Sequence, residues 1–160
     1  MTHVYLDASA LVKRYRQEPG SEVVHQTIEQ VASDNPRRLV VSSLSIIETL
    51  SILNRRRNEA GIPLEPFRRG LRSVIQEVRT FSHVLLIDDH LLLSSAQYAI
   101  KHNINSADAI HLAILLALQA TMVASNDELR CLAADKRLIR AARAEGIAVI
   151  DPEEEQPSIL

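Results

Sequence analysis

Cysteine and glycine are scarce in this chain, and tryptophan is absent. Its one cysteine, Cys131, excludes an internal disulfide and a metal site built on several thiolates, which is typical of proteins from a reducing compartment. The four glycines are scattered, so the sequence has no glycine-rich phosphate loop of the nucleotide-binding kinds. Three tyrosines and two phenylalanines offer few surfaces for base stacking, so the chain does not look like a sequence-specific reader of single-stranded nucleic acid.

The charge balance and the hydrophobic runs argue against two further classes of protein. A formal net charge of -2 is not that of a domain that holds nucleic acid through an overall basic excess, although it allows local basic patches. Polar residues interrupt the long apolar runs, and no basic and then apolar leader precedes Val4, so we expect neither a membrane helix nor a signal peptide. We therefore expect a cytoplasmic protein without a membrane partner.

The pattern of hydrophobic residues predicts one α/β domain. Short apolar runs alternate with longer segments of helical period, which is typical of a mostly parallel central β-sheet flanked by α-helices. We place this domain at residues 1–152 and expect a flexible acidic tail at residues 153–160. The predicted strands include residues 3–6, 39–42, 84–87 and 147–150.

The predicted helices have recognisable starts. One begins near Ser21, and another begins in the serine cluster of residues 42–45 and runs to Arg57. The most regular amphipathic helix covers residues 67–78, and a single helix follows Asp88 or Asp89 up to the break at residues 103–105. Ser106 is expected to cap an almost wholly apolar helix that should lie in the core.

Two acids are candidates for a functional site because of where they fall in these elements. Asp7 closes the first strand, and side chains just beyond the strands of an open α/β sheet point into its ligand crevice, although Asp7 could equally cap the next helix. Glu48 could bond back to Ser45 in a capping box. If Ser43 is the cap instead, Glu48 lies on an apolar stripe, where an ionised carboxylate needs a positive partner.

Asp108 is the third candidate, because it is the one acid in the apolar helix. A favourable interaction with the helix dipole would explain its position, but not its apolar surroundings. His111 lies three residues further on, and a histidine in such a helix is more often a packed core residue than a metal ligand.

A fourth acid at a strand end is either Asp127 or Asp135. If it is Asp127, residues 121–125 form the preceding strand; if it is Asp135, residues 125–128 form a loop and residues 129–134 the strand. We favour Asp135, because Ser125-Asn126-Asp127 is typical of a turn.

Several carboxylates in one crevice raise one another's pKa, and a bound divalent cation reverses that penalty. The acids therefore predict a metal site. Oxygen ligands without cysteine suit Mg²⁺ or Mn²⁺ rather than structural zinc. Such ions activate water for in-line attack on a phosphodiester, so the pattern indicates hydrolysis of nucleic acid.

At these residues the chain resembles the PIN domain family, and in particular the VapC-type toxins of prokaryotic toxin–antitoxin pairs. Residues 5–13 are similar to the opening strand and first acid of the family. Residues 45–48 with Leu53 resemble its second motif, and residues 106–113 resemble its third motif. The ending from Ala134 to Pro152 is also similar, so the resemblance covers nearly the whole chain.

The resemblance implies a metal-dependent endoribonuclease with Asp7, Glu48, Asp108 and a fourth aspartate around the Mg²⁺ or Mn²⁺ ion, supported by Ser9. It also implies an RNA substrate, a homodimer, and inhibition by an antitoxin that lays a peptide across the site. The family commonly has serine or threonine two residues before the fourth acid. Asp135 has Ala133 there and Asp127 has Ser125, which keeps both aspartates in consideration.

RNA contacts would come from basic residues near the acids, which are Lys13, Arg14, Arg16, Lys136, Arg137 and Arg140. We interpret the other arginine runs, residues 55–57 and 68–69, as solvated helix faces. The competing functions are a PIN ribonuclease of RNA processing and a non-catalytic scaffold of the same fold. A phosphoaspartate receiver would leave the scattered acids unused, and a dehalogenase-type phosphatase needs an acid where Ser9 stands.

Overall fold

The structure is a computed structural model, and it describes residues 1–154. Within that range five strands form one sheet in the order β3-β2-β1-β4-β5, and every neighbouring pair is parallel. The strands are β1 (Thr2–Leu6), β2 (Leu39–Ser42), β3 (His83–Leu85), β4 (Glu128–Leu132) and β5 (Ala148–Ile150). The predicted α/β class with a parallel central sheet is confirmed.

Helices cover both faces of this sheet, as expected when each parallel strand is followed by a crossover. They are α1 (Ala8–Leu11), α2 (Ser21–Asp34), α3 (Ser43–Glu59), α4 (Leu64–Phe81), α5 (Asp89–Ser94), α6 (Ala96–His102), α7 (Ser106–Ala124) and α8 (Lys136–Ala144). Short 3₁₀ turns at Val12–Arg14 and Pro36–Arg38 complete the connections.

The central strand β1 is buried on both faces. Val4 and Leu6 point to a cluster with α2, whereas Tyr5 points to the opposite cluster with α7 and α8. This alternation follows from the two-residue period of a strand. It places the hydroxyl of Tyr5 inside the protein, where a polar atom needs a partner.

Helix α7 is long and apolar enough to cross a membrane by length and composition. Its first half lies in the core, and that half contains the buried polar residues Asp108 and His111. A core helix of a globular domain has this composition too. The predicted N-cap of this helix, Ser106, is wrong by one residue. The N-cap is Asn105, whose backbone is extended and whose side chain accepts a hydrogen bond from Asp108 N.

Several predicted boundaries need correction. Helix α4 extends three residues beyond the predicted 67–78 at each end, and β5 begins at Ala148 instead of residue 147. The third strand ends at Leu85 instead of residue 87, because its partner β2 ends at Ser42, which pairs with Leu85. The helix expected after Asp88 is split at Ser95, whose hydroxyl bonds back to a helix carbonyl. Strand β4 ends at Leu132 instead of residue 134, because the N–H of Ala134 is bound by a side chain.

The segment after β5 folds back beside the start of α2. Asp151 is buried and accepts a hydrogen bond of 2.5 Å from Lys136 Nζ. Pro152 lies so close to Gly20 that a Cβ on Gly20 would stand 2.6 Å from the Pro152 carbonyl oxygen. Glu153, the first residue of the expected acidic tail, accepts a hydrogen bond from Lys13 Nζ; the tail from residue 155 onward lies outside the described residues.

Candidate metal centre

Four acids from distant parts of the chain line one crevice at the carboxyl edge of the sheet. Asp7 follows β1, Asp135 follows β4, Glu48 comes from α3 and Asp108 from α7. The crevice has a volume of about 110 Å³, and Ser9 and His111 also line it. The fold thus brings together the four candidate ligands that we favour, together with Ser9.

Asp127 lies elsewhere. It precedes β4, whereas Asp135 follows it, so the two aspartates are at opposite edges of the sheet. The carboxylate of Asp127 accepts a hydrogen bond from the amino group of Met1 and lies 3.5 Å from His3 Nε2. The choice of Asp127 as the fourth acid also requires a strand at residues 121–125, and residues 121–124 belong instead to helix α7.

Asp7 fills both of the roles considered for it. Its Oδ1 accepts a hydrogen bond of 3.0 Å from Ala10 N, so it caps α1, and it also faces the crevice. Burial raises the pKa of the Asp7 carboxyl, while the nearby His111 and the hydrogen bonds from Ser9 and Ala10 oppose this shift. A buried carboxylate with a raised pKa gains from a cation beside it.

Ser9 ties two strand ends together. Its hydroxyl donates to the carboxylate of Asp7 at 2.7 Å, and its oxygen accepts hydrogen bonds from Ala134 N at 2.7 Å and Asp135 N at 3.0 Å. One side chain therefore fixes the orientation of Asp7 and the path of the chain into Asp135. No sequence signal near Ala134 predicts this contact, which joins residues 125 positions apart.

Glu48 does not form the capping box considered from the sequence. Ser42 is the cap of α3, and its oxygen accepts a hydrogen bond of 3.0 Å from Ser45 N. Glu48 lies beyond the first turn, and its Oε2 is 2.7 Å from Nε2 of His111. The positive or hydrogen-donating partner that an acid on an apolar stripe needs is therefore a histidine from another helix.

His111 is buried, as a core histidine would be, but it is also part of the site. Its Nδ1 is 2.6 Å from the hydroxyl of Tyr5, and that hydroxyl oxygen lies 3.0 Å from Ser42 Oγ. Sequence reasoning missed Tyr5 and Ser42 as partners. The available signal was a tyrosine in the middle of a strand otherwise predicted to be buried.

Asp108 and Asp135 share one counter-charge. Arg137 Nε lies 3.4 Å from Asp108 Oδ2, and Arg137 also donates to Asp135 Oδ2 at 3.2 Å. The contact with Asp108 is an ion pair without hydrogen-bond geometry, so the buried Asp108 Oδ2 has no hydrogen-bond donor. An unbonded buried carboxylate oxygen is costly and indicates that a further positive group belongs there.

The pKa of Asp108 is raised and the pKa of Asp135 is lowered, because their surroundings differ. Burial, followed by the negative charge of Asp135, raises the pKa of Asp108 to about 6, although Arg137 opposes the shift. Burial also disfavours ionisation of Asp135, but the hydrogen bonds that it accepts from Arg137 outweigh this and lower its pKa. Asp108 is therefore harder to ionise than Asp135, chiefly because it is buried and only Asp135 accepts hydrogen bonds from Arg137.

These donors suit a divalent cation, although the side chains are not yet gathered around one point. In the part of the chain that the structure describes, no three His, Cys, Asp or Glu side chains already converge as a closed metal site. The unbonded oxygen of Asp108 and the raised pKa values nevertheless fit a cation-binding crevice. The all-carboxylate set fits Mg²⁺ or Mn²⁺.

The basic residues expected to contact RNA are only partly available. Lys13 is buried, and its ammonium donates to Pro19 O and to Glu153, so the prediction is wrong for this residue. Arg14 donates to Glu77 at 3.1 Å, which also makes it a structural residue. The reason is the same for both: acids from distant segments, invisible in the local sequence, pair with them.

A second groove of about 280 Å³ adjoins the crevice and shares Ser9, Ile52 and Asp135 with it. Arg16 and Arg56 also line this groove, together with Lys13, Glu18 and Glu153. Arg16 lies 3.5 Å from Glu18, and Lys13 lies 2.9 Å from Glu153. Arg16 is among the residues predicted to contact RNA. Arg56 belongs to the run interpreted as a solvated helix face, and that interpretation does not explain why it lines the same groove as Asp135.

Comparison with known proteins identifies the fold independently. A family model of the PIN domain matches residues 4–144. FitAcB from Neisseria gonorrhoeae is similar, with a TM-score of 0.59 and 18% identity over 95% of this chain and 99% of its own. PAE2754 from Pyrobaculum aerophilum gives a TM-score of 0.58 and 19% identity, covering 95% of this chain and 90% of its own.

VapC20 from Mycobacterium tuberculosis, a toxin that cleaves the sarcin–ricin loop, gives a TM-score of 0.62. It is 17% identical to this chain and covers 93% of it and 99% of its own length. No curated protein matches the sequence of the chain. At these identities the solved structures establish a common fold, while the family match rests on the sequence.

Proposed function

The chain belongs to the PIN domain family, and from this premise we propose that it is a metal-dependent endoribonuclease, acting as the toxin of a VapBC-type toxin–antitoxin pair. The observation that carries the proposal is the convergence of Asp7, Glu48, Asp108 and Asp135 on one crevice. Four acids that line one crevice, two of them buried, repel one another, and a bound cation would relieve this repulsion.

In this proposal the four acids hold one or two Mg²⁺ or Mn²⁺ ions. The bound ions would activate water and stabilise the leaving oxygen of the RNA. Ser9 holds the Asp7 carboxylate and the backbone before Asp135 in fixed positions through its three hydrogen bonds. Fixing Asp7 in this way reduces the rearrangement that the site needs, although in the described residues the acids do not form a closed set of ligands.

The adjoining groove offers a path for the RNA strand. Arg16 and Arg56 line it next to Ser9 and Asp135, so a phosphate bound there would lie close to the acids. Arg56 pairs with Glu59 at 3.0 Å, but both side chains are more than half exposed, and such a pair exchanges easily for a phosphate. Lys13 also lines the groove, but Glu153 holds its ammonium, so Arg16 and Arg56 replace Lys13 and Arg14 as the proposed RNA contacts.

The proposed protein partners are a second copy of this chain and an antitoxin, in the cytoplasm. Exposed apolar side chains are frequent between β3 and the end of α6: Leu86, Leu92, Leu93 and Ile100. Apolar exposure of this kind is typical of an interface, and we assign it to the homodimer. Light scattering should give the dimer mass, and Leu93→Ser with Ile100→Ser should lower it to that of one chain.

The test of the proposed activity is cleavage of structured RNAs, including a sarcin–ricin loop oligonucleotide, with Mg²⁺, with Mn²⁺ and with chelator. Asp7→Asn, Asp108→Asn and Asp135→Asn should each reduce cleavage by about 100-fold or more. Asp127→Asn is the matched control and should retain wild-type activity. Cleavage in chelator, or loss of activity only in the control variant, would contradict the proposal.

The role as a toxin needs a separate experiment in cells. Expression should arrest growth, Asp108→Asn should relieve the arrest, and co-expression of a neighbouring antitoxin gene should relieve it as well. An active ribonuclease that does not affect growth would instead favour a PIN enzyme of RNA processing.

A further inference from the structure

A chain of buried polar groups runs from the central strand to the rim of the crevice. Tyr5 in β1 contacts His111 in α7, and His111 contacts Glu48 in α3, through distances of 2.6 and 2.7 Å. At its inner end the Tyr5 hydroxyl oxygen lies 3.0 Å from Ser42 Oγ. Four segments of the fold therefore meet in one hydrogen-bonded row.

The inner part of this row is almost inaccessible to solvent. Tyr5, Ser42 and Ser45 are each 0% exposed and His111 is 2% exposed. The hydroxyl of Ser45 donates to the carbonyl of Leu6, which anchors the row to the backbone of β1. A fully satisfied network of buried polar groups restricts its side chains to one arrangement, because an unbonded polar group in the interior is costly.

The arrangement that it fixes is that of Glu48. An ionised carboxylate only accepts hydrogen bonds, so Nε2 of His111 carries the hydrogen that faces Glu48 Oε2. The ring cannot turn away without losing its contact with Tyr5 on the other side. Glu48 itself is partly exposed and lies on a long flexible side chain, which without a partner would sample several rotamers.

We propose that His111, held by Tyr5, is a positioning residue that orients the Glu48 carboxylate toward the cation in the crevice. Because His111 binds Oε2, the other carboxylate oxygen would remain for a cation, and His111 acts through Glu48 rather than as a ligand. The inference rests on the proposed metal-dependent function, because it assigns a task within that same site. Partners of this kind raise the metal affinity of a site by about 10- to 100-fold.

Two substitutions of His111 distinguish the role of its Nε2, which faces Glu48, from that of its Nδ1, which faces Tyr5. In His111→Gln the side-chain amide nitrogen can occupy the place of Nε2 and still donate to Glu48, whereas in His111→Asn the amide lies near Nδ1 and reaches only Tyr5. Isothermal titration with Mn²⁺ should give a loss of about 10- to 100-fold for His111→Asn and a smaller loss for His111→Gln, which keeps the hydrogen bond to Glu48 but not the contact with Tyr5.

Thr49→Val is the matched control. Thr49 is the neighbour of Glu48 in α3, is fully buried, and its hydroxyl makes no hydrogen bond. Removing that hydroxyl changes a buried polar group in the same helix turn without touching the row, so the Mn²⁺ affinity should not change. Equal losses in His111→Gln and His111→Asn, or a comparable loss in Thr49→Val, would overturn the proposal.

A double-mutant cycle tests whether His111 acts through Glu48. Glu48→Gln alone should weaken Mn²⁺ binding, and adding His111→Asn to it should weaken binding no further, because the group that His111 positions is already altered. Losses that simply multiply would overturn the assignment. Thermal unfolding of each variant in chelator separates these losses from damage to the fold.

A measurement on the metal-free protein keeps the inference separate from the proposed function. In ¹H–¹⁵N spectra of the histidine side chains, the His111 Nε2 proton should exchange slowly and lie downfield, and Glu48→Ala should shift it while Asp135→Asn leaves it in place. An unchanged signal in Glu48→Ala would overturn the positioning role. Absence of Mn²⁺ binding by the wild type would instead overturn the proposed function.

Discussion

Asp108→Asn should make the metal-free protein more stable at neutral pH, although it removes a proposed catalytic ligand. Burial and the charge of Asp135 raise the pKa of Asp108 from 3.8 to about 6. A carboxyl whose pKa is higher in the folded than in the unfolded chain binds more protons when folded. Its ionisation therefore costs stability as the pH rises through this interval, and the full cost is present above about pH 6.

The size of the effect follows from the shift. About two pKa units correspond to about 3 kcal/mol at 1.36 kcal/mol per unit. We halve this value because the crevice is open to water and salt on one side, which leaves about 1 to 2 kcal/mol. The neutral asparagine avoids this cost, so the free energy of unfolding at pH 7.5 should rise by about that amount.

Urea unfolding in chelator at pH 4 and at pH 7.5 measures this difference. The wild type should lose stability relative to Asp108→Asn between the two pH values, and the two proteins should approach each other at pH 4. With Mn²⁺ at about 100 times its dissociation constant the order should reverse, because binding adds about 2.7 kcal/mol to the wild type. A less stable Asp108→Asn at pH 7.5 in chelator would refute the electrostatic reasoning.

Other contacts give further predictions. Gly20→Ala should lower the free energy of unfolding by about 1 to 3 kcal/mol, because Gly20 has φ of 82° and an added Cβ would meet the Pro152 carbonyl. The matched control is Gly70→Ala in helix α4, where space is open, and it should raise the free energy of unfolding by about 0.5 to 1 kcal/mol. Urea unfolding compares the two variants. Arg137→Gln should tighten Mn²⁺ binding by about 2- to 5-fold in calorimetry, because the guanidinium competes for Asp108, and weaker binding would contradict that role.

The elements and the acids at strand ends could be predicted because both depend on local pattern. The period of the hydrophobic residues predicts the α/β order, and the position of Asp7 after a strand predicts an edge of the sheet. The family resemblance left the fourth acid open. Turn chemistry at residues 125–127 favoured Asp135, and the structure places Asp135 in the crevice and Asp127 at the other edge.

The partners of the acids could not be predicted in the same way, because they come from distant segments. His111 and Glu48 are 63 positions apart, and neither residue carries a local signal for the other. Lys13 is predicted to contact RNA because its basic cluster follows Asp7 in the sequence, but it pairs instead with Glu153 at the far end of the chain. Sequence periodicity identifies which face of a helix is buried, but not which polar group it meets.

Anomalous diffraction from crystals grown with saturating Mn²⁺ shows whether these four acids bind a divalent cation. A manganese peak is expected in the crevice, with carboxylate oxygens of Asp7, Glu48 and Asp108 at about 2.0 to 2.2 Å and Asp135 at that distance or through water. A map without a peak in the crevice, or with its peak at Asp127, would mean that the four acids do not form a metal site.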